Sequence, residues 1–130
     1  LNNMPEIVVE INLFDNPMPP KDISHCLGLT ATKALLKGEE NEKRVLPRGN
    51  LWVLASQGGE LVEEEWYFLR EKLRKSWQQL IEITRLGGTT KIVIVVRITE
   101  RIPPLYMPAD MIKEAAELGA IIDIECYDYR

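Results

Sequence analysis

The chain has 130 residues, 45% of them hydrophobic and 28% charged, with a formal net charge of −4. That length and composition suit one soluble domain spanning residues 1–130, able to bury roughly two-thirds of its unfolded surface without disulfide or metal staples. The acidic balance excludes generic nucleic-acid binding, which needs a basic face against phosphate.

Ile7 to Phe14 reads as a strand, with Val9, Ile11 and Leu13 on one face and Glu10 and Asn12 on the other. A turn-rich link, Asp15 to Pro20, leads into a short helix with proline near its first position and Gly28 past its end. Thr30 to Leu36 is ambiguous between loop and short edge strand, and Lys37 to Asn50 is a polar loop, a candidate for partner binding in its own right. Leu51 to Ser56 is a strand closed by Gly58-Gly59.

The spacing of Val62, Trp66, Leu69, Leu73, Trp77, Leu80 and Thr84 predicts one long amphipathic helix from Glu60 to Leu86, stopped by Gly87-Gly88. Such a helix would span roughly 35–40 Å. Thr90 to Thr99 is the strongest strand. Apolar residues on both of its faces (Ile92, Ile94, Val96 and Ile98 against Val93 and Val95) predict a central position. Pro108 to Leu118 reads as a second short helix, and Ile121 to Tyr127 as the last strand. The Pro-to-Leu-Gly pattern of Pro20–Leu29 recurs at Pro108–Ala120, as shared helix punctuation or as a duplicated βα unit.

These elements give a fold class of α+β, with order β-α-β-β-α-β-α-β. The expected architecture is a four- to five-stranded, mostly antiparallel sheet carrying one long helix and two short helices. Cys26 and Cys126 occupy apolar positions outside any C-x-x-C and read as reduced core residues, which fits a cytoplasmic location. No apolar run approaches the roughly 18 residues of a membrane span, and no signal-peptide pattern opens the chain.

The run Ile23 to Thr32 containing Leu27-Gly28-Leu29-Thr30, then Lys37-Gly38-Glu39, then Leu51-Trp52-Val53-Leu54, forms an ordered series of short motifs. Leu118-Gly119-Ala120, Ile122-Asp123-Ile124 and Tyr127 complete it. In order and spacing these motifs resemble the bacterial domain-of-unknown-function family 4279, over about Ile7 to Tyr127. The resemblance implies a small single-domain bacterial α+β protein and carries over no activity and no catalytic residues. Families of this kind include immunity partners of secreted toxins. The charged Glu39 to Arg48 stretch departs from the pattern.

Candidate chemistry is sparse. The one histidine, His25, neighbours Cys26, but adjacent helical side chains diverge by about 100°, so no Cys-His pair is preformed. Two cysteines a hundred residues apart and one histidine do not make a zinc site, and no phosphate, dinucleotide or calcium loop is present. Gly58-Gly59 before the long helix could take an anion, yet Glu60, Glu63, Glu64 and Glu65 would repel one and instead favour the helix dipole. No catalytic residue, cofactor or metal site is therefore expected, and the chain reads as leaning away from enzymes.

Strand alternation supplies the one constellation. With Val9, Ile11, Leu13, Ile92, Ile94, Ile122 and Ile124 facing the helices, Glu10, Asn12, Arg97, Asp123, Glu125 and Tyr127 share the opposite face. The parity of Trp52 is open, and it is included with them. From Asp110 to Arg130 six acidic residues stand against Lys113 and Arg130, which points to a basic partner or to solubility. The resulting reading is a non-catalytic protein-interaction module without nucleic-acid or membrane partners. Its sharper form is an immunity-type inhibitor meeting a basic toxin. The alternative is a small-molecule- or metal-binding regulatory domain with a pocket between sheet and loop.

Overall fold

The computed structural model describes residues 5–38 and 48–130. Along the chain run β1 (Ile7–Phe14), α1 (Pro20–Leu27), β2 (Lys33–Leu35), β3 (Leu51–Ala55), α2 (Val62–Leu73), α3 (Trp77–Thr84), β4 (Thr89–Ile98), α4 (Ala109–Glu117) and β5 (Ile121–Asp128). The five strands form a mixed sheet in the order β2-β3-β1-β4-β5. All neighbours are antiparallel except β4 and β5, which run parallel. A parallel pair cannot be joined by a tight turn, and α4 provides the crossover.

Burial follows the period-two rule. Ile7, Val9, Ile11 and Leu13 of β1 and Ile92, Ile94 and Val96 of β4 are buried under the helices. The helices return Ile23 and Leu27 from α1, Val62, Trp66, Leu69 and Leu73 from α2, Leu80, Ile81 and Ile83 from α3, and Met111 and Ala115 from α4. Both short helices end in the same geometry. Gly28 (φ 67) and Gly119 (φ 60) are left-handed. Leu29 N donates to Ser24 O at 3.0 Å and Ala120 N to Ala115 O at 2.9 Å. These are the back-bonds of a glycine-terminated helix, so shared punctuation accounts for the Leu-Gly echo.

The expected long helix is two helices. Arg74 N donates to Glu71 O and Ser76 N to Leu73 O, tightened bonds three residues back that end α2. Ser76 (φ −116, ψ 12) leaves helical geometry, and Leu80 N to Ser76 O restarts the ladder. An unbroken helix of roughly 35–40 Å would overrun a sheet whose longest strands span about 27–33 Å. The break changes direction and shifts the apolar phase, so Ile81 and Ile83 reach the core beside Leu80. Trp66 is fully buried, and Trp77 is partly buried. Trp77 meets Trp66 edge-on at 6.4 Å and carries the Arg70 guanidinium 3.8 Å above its ring centre.

Two further expectations are corrected. Cys26 and Cys126 are both free and exposed, not core residues. Cys26 lies on the outward side of α1, and Cys126 lies on an edge strand that the helices do not cover. The ambiguous Thr30–Leu36 stretch contains the three-residue β2. Of the polar Lys37–Asn50 loop, positions 39–47 lie outside the described residues. No helix among the described residues is long and apolar enough to cross a membrane.

Candidate functional site

The helices cover one face of the sheet, and among the described residues no helix packs on the other, the uncovered face. Register fixes what the uncovered face presents. One row across the sheet is Asp123, Val93, Glu10 and Ala55; the next is Ile121, Lys91, Asn12, Val53 and Lys33. Glu125 aligns with Val95 and then Val8, and Tyr127 aligns with Arg97. Glu10, Asn12, Arg97, Asp123, Glu125 and Tyr127 therefore share this face.

Trp52 does not join them. It pairs with Leu13 on the helix side, is fully buried, and donates its indole N–H to Ser24 Oγ at 3.0 Å. Val53 takes its place on the uncovered face. Trp52 faces inward because β3 pairs with β1 in the register that sets Trp52 beside Leu13, which only the fold determines.

The face is less polar than alternation suggested. Val53, Val93 and Val95 are buried there yet lie apart from the main core cluster. The doubly apolar pattern of Thr90–Thr99 was the available signal for Val93 and Val95. Lys33 and Lys91 had no such signal. Lys91 Nζ approaches Asp123 Oδ2 at 3.8 Å, a loose pair between half-exposed side chains.

Glu10 is the electrostatic centre. Burial raises its pKa above the ordinary value of 4.5, and the charge of Glu125 adds to the rise. The Asn12 amide, Lys33 and Arg97 pull the other way without cancelling it. The Tyr127 hydroxyl donates to Glu125 Oε2 at 3.1 Å, and that bond raises the phenol's pKa. Asn12 Oδ1 is buried without a hydrogen-bond partner. Beside it lies a shallow hollow of about 280 Å³ bordered by Asn12, Phe14, Leu51, Thr89 and Lys91.

The remaining candidates, and the charged groups of the helices, have structural explanations. Gly58 N donates to Glu65 Oε1 at 2.7 Å, so this buried carboxylate fills the position an anion would take before α2. Arg74 pairs with Glu71 on its own helix, and Lys72 lies 5.1 Å from the Phe68 ring centre. Glu114 accepts from Trp66 Nε1 at 2.9 Å and pairs with Arg70, joining α4 to α2. His25 and Cys26 are both exposed on α1. Among the described residues, no three His, Cys, Asp or Glu side chains gather as metal ligands do. A separate open cleft of about 560 Å³ lies between the start of α1 and β2, lined mainly by apolar atoms of Pro19, Pro20, Ala34, Leu35 and Leu36.

What the uncovered face can do is bind by charge and contact. It offers three carboxylates (Glu10, Asp123 and Glu125), a tyrosine hydroxyl and an arginine beside buried valines. Fold and face together define an α+β protein with a helical layer on one side of a mixed sheet and a presented surface on the other. The chain belongs to the DUF4279 family, described as a domain of unknown function, whose model matches residues 5–129. No curated protein and no solved structure matches the chain.

Proposed function

We propose that the protein is a non-catalytic interaction module that receives a basic partner on the uncovered face of its sheet. The observation that carries this reading is Glu10, a part-buried carboxylate on a central strand whose pKa is raised by burial and by Glu125. A lysine or arginine brought by a partner would offset the cost of burying the Glu10 carboxylate and neutralise the repulsion from Glu125. An immunity-type inhibitor acting on a basic toxin inside a bacterial cytoplasm is the sharper form, in keeping with the acidic outer strand.

The test is capture from host lysate at low and moderate salt, using wild type beside the Asp123→Lys/Glu125→Lys double variant. Both side chains are at least partly exposed, so the variant is expected to keep its circular dichroism spectrum. A stoichiometric, salt-sensitive partner lost in the variant supports the acidic face. A partner retained by the variant removes it.

A second reading rests on the cleft between α1 and β2, whose size and apolar lining suit a small molecule. A regulatory domain of that kind gains melting temperature with its ligand. A panel of metabolites and divalent metals that shifts nothing ends that alternative.

A further inference from the structure

The two edges of the sheet are unequal. β2 has three residues, whereas β5 has eight and bears no lysine, proline or glycine. Short strands and lysines are the usual devices that blunt an edge. Tyr129 N donates to Ile98 O at 2.8 Å. By strand alternation, the backbone groups of Ile122, Ile124, Cys126 and Asp128 then point away from β4, along the free edge. Exposed large apolar side chains lie along the same strand and its end (Ile121, Ile124, Tyr127 and Tyr129), and Leu105 and Tyr106 border a small hollow with Ile124.

The side chains of β5 select one way of pairing with themselves. Antiparallel strands related by a two-fold axis place residues of like parity opposite each other. Centring on Asp123, Glu125 or Asp128 sets that carboxylate against itself, and centring on Ile124 sets Asp123 against Glu125. Centring on Ile121, Ile122 or Tyr127 overlaps no more than three residues of β5 in each copy. Centring on Cys126 faces Glu125 with Tyr127 and Asp123 with Tyr129, a carboxylate opposite a phenol in each case. The Tyr127 hydroxyl donates to Glu125 within the strand, and its single proton would exchange that bond for the equivalent one to Glu125 of the other copy.

We propose that a second copy of this chain occupies the free edge of β5, antiparallel and centred on Cys126, so that the two sheets become one continuous sheet. This goes beyond the proposed partner binding and does not depend on it. The dimer sets two uncovered faces side by side, with Glu125 and Tyr127 of each copy at the seam.

Analytical ultracentrifugation across a concentration series tests it. Wild type is expected to show reversible, concentration-dependent dimer. Cys126→Pro removes an outward backbone donor while leaving every side chain of the uncovered face in place, and is expected to sediment as monomer. Tyr127→Glu puts a carboxylate opposite Glu125 of the other copy and is expected to lose the dimer. Adding Glu125→Lys to that variant restores an attractive pair and is expected to bring the dimer back. Mild diamide oxidation of Cys26→Ser protein is expected to give a covalent dimer through Cys126, because directly opposed Cα atoms about 5.5 Å apart lie within disulfide range. Monomeric wild type at every concentration overturns the proposal, as does a dimer indifferent to Cys126→Pro. Failure of the Glu125→Lys/Tyr127→Glu pair to re-form a dimer lost by Tyr127→Glu alone overturns the register. A monomeric Cys126→Pro protein that still captures the basic partner separates this edge from the uncovered face.

Discussion

Replacing Asn16 by alanine is expected to destabilise the fold by about 2–4 kcal/mol. The residue is 3% exposed and joins two distant segments. Its Nδ2 donates to Ile83 O at 2.8 Å and to Gly87 O at 3.2 Å, while its Oδ1 accepts from Met18 N at 2.9 Å. Each such bond contributes roughly 1 kcal/mol net, and a buried group left without a partner costs more. Ile83 O keeps a second donor in Leu86 N, which limits the loss at that carbonyl. Urea unfolding followed by tryptophan fluorescence is a suitable assay, since Trp52 and Trp66 are fully buried. Asn16→Asp sharpens the test. Aspartate keeps an acceptor for Met18 N but turns a carboxylate toward two carbonyl oxygens, so it is expected to be worse than alanine at neutral pH. A loss below about 1 kcal/mol for alanine, or aspartate milder than alanine, would refute the reasoning.

Two further outcomes follow from the same geometry. Because the folded-state pKa of Glu10 is raised, the native state holds its proton more tightly than the unfolded chain. That contribution is fully present below the ordinary value of 4.5 and is lost as pH rises through the folded value. Glu10→Gln should therefore unfold at higher urea than wild type at pH 7, with the gap closing in acid; a less stable variant at pH 7 would contradict the assignment. Gly88→Ala should cost far more than Gly119→Ala. Both glycines have positive φ, but a Cβ at Gly88 would stand 2.4 Å from Phe14 O, whereas one at Gly119 meets nothing within 4 Å. Equal shifts in the two urea midpoints would show that the turn at Gly88 moves freely.

Much of the fold was legible because period and punctuation are local. The alternation of β1 and β4 and the glycine stops of α1 and α4 needed no tertiary information. The break at Ser76 was not legible: Trp66, Leu73, Trp77 and Leu80 keep helical spacing through it, and only the finite length of the sheet makes an unbroken helix unfavourable. Cys126 misled because an apolar-alternating strand reads the same at an edge as in the middle, and its exposure depends on β5 being outermost. Trp52 misled for a related reason, since parity within a short strand is set by the partner's register. The other six residues of the candidate face were found because each lies on a strand whose inward parity was unambiguous.

The departures from local consistency are few, and they fall on both sides of the sheet. In the helical layer Arg70 Nη1 is buried without a hydrogen-bond partner. On the uncovered side stand a carboxylate whose ionisation works against the native state and a buried amide oxygen without a partner. Glutamine at position 10 would remove the first cost, so stability alone does not favour glutamate there. Local inconsistencies of this kind are expected where a surface is shaped by something other than folding. In the proposed complex, Glu10 would supply the charge that selects a basic partner, which gives glutamate at this position a use that folding does not.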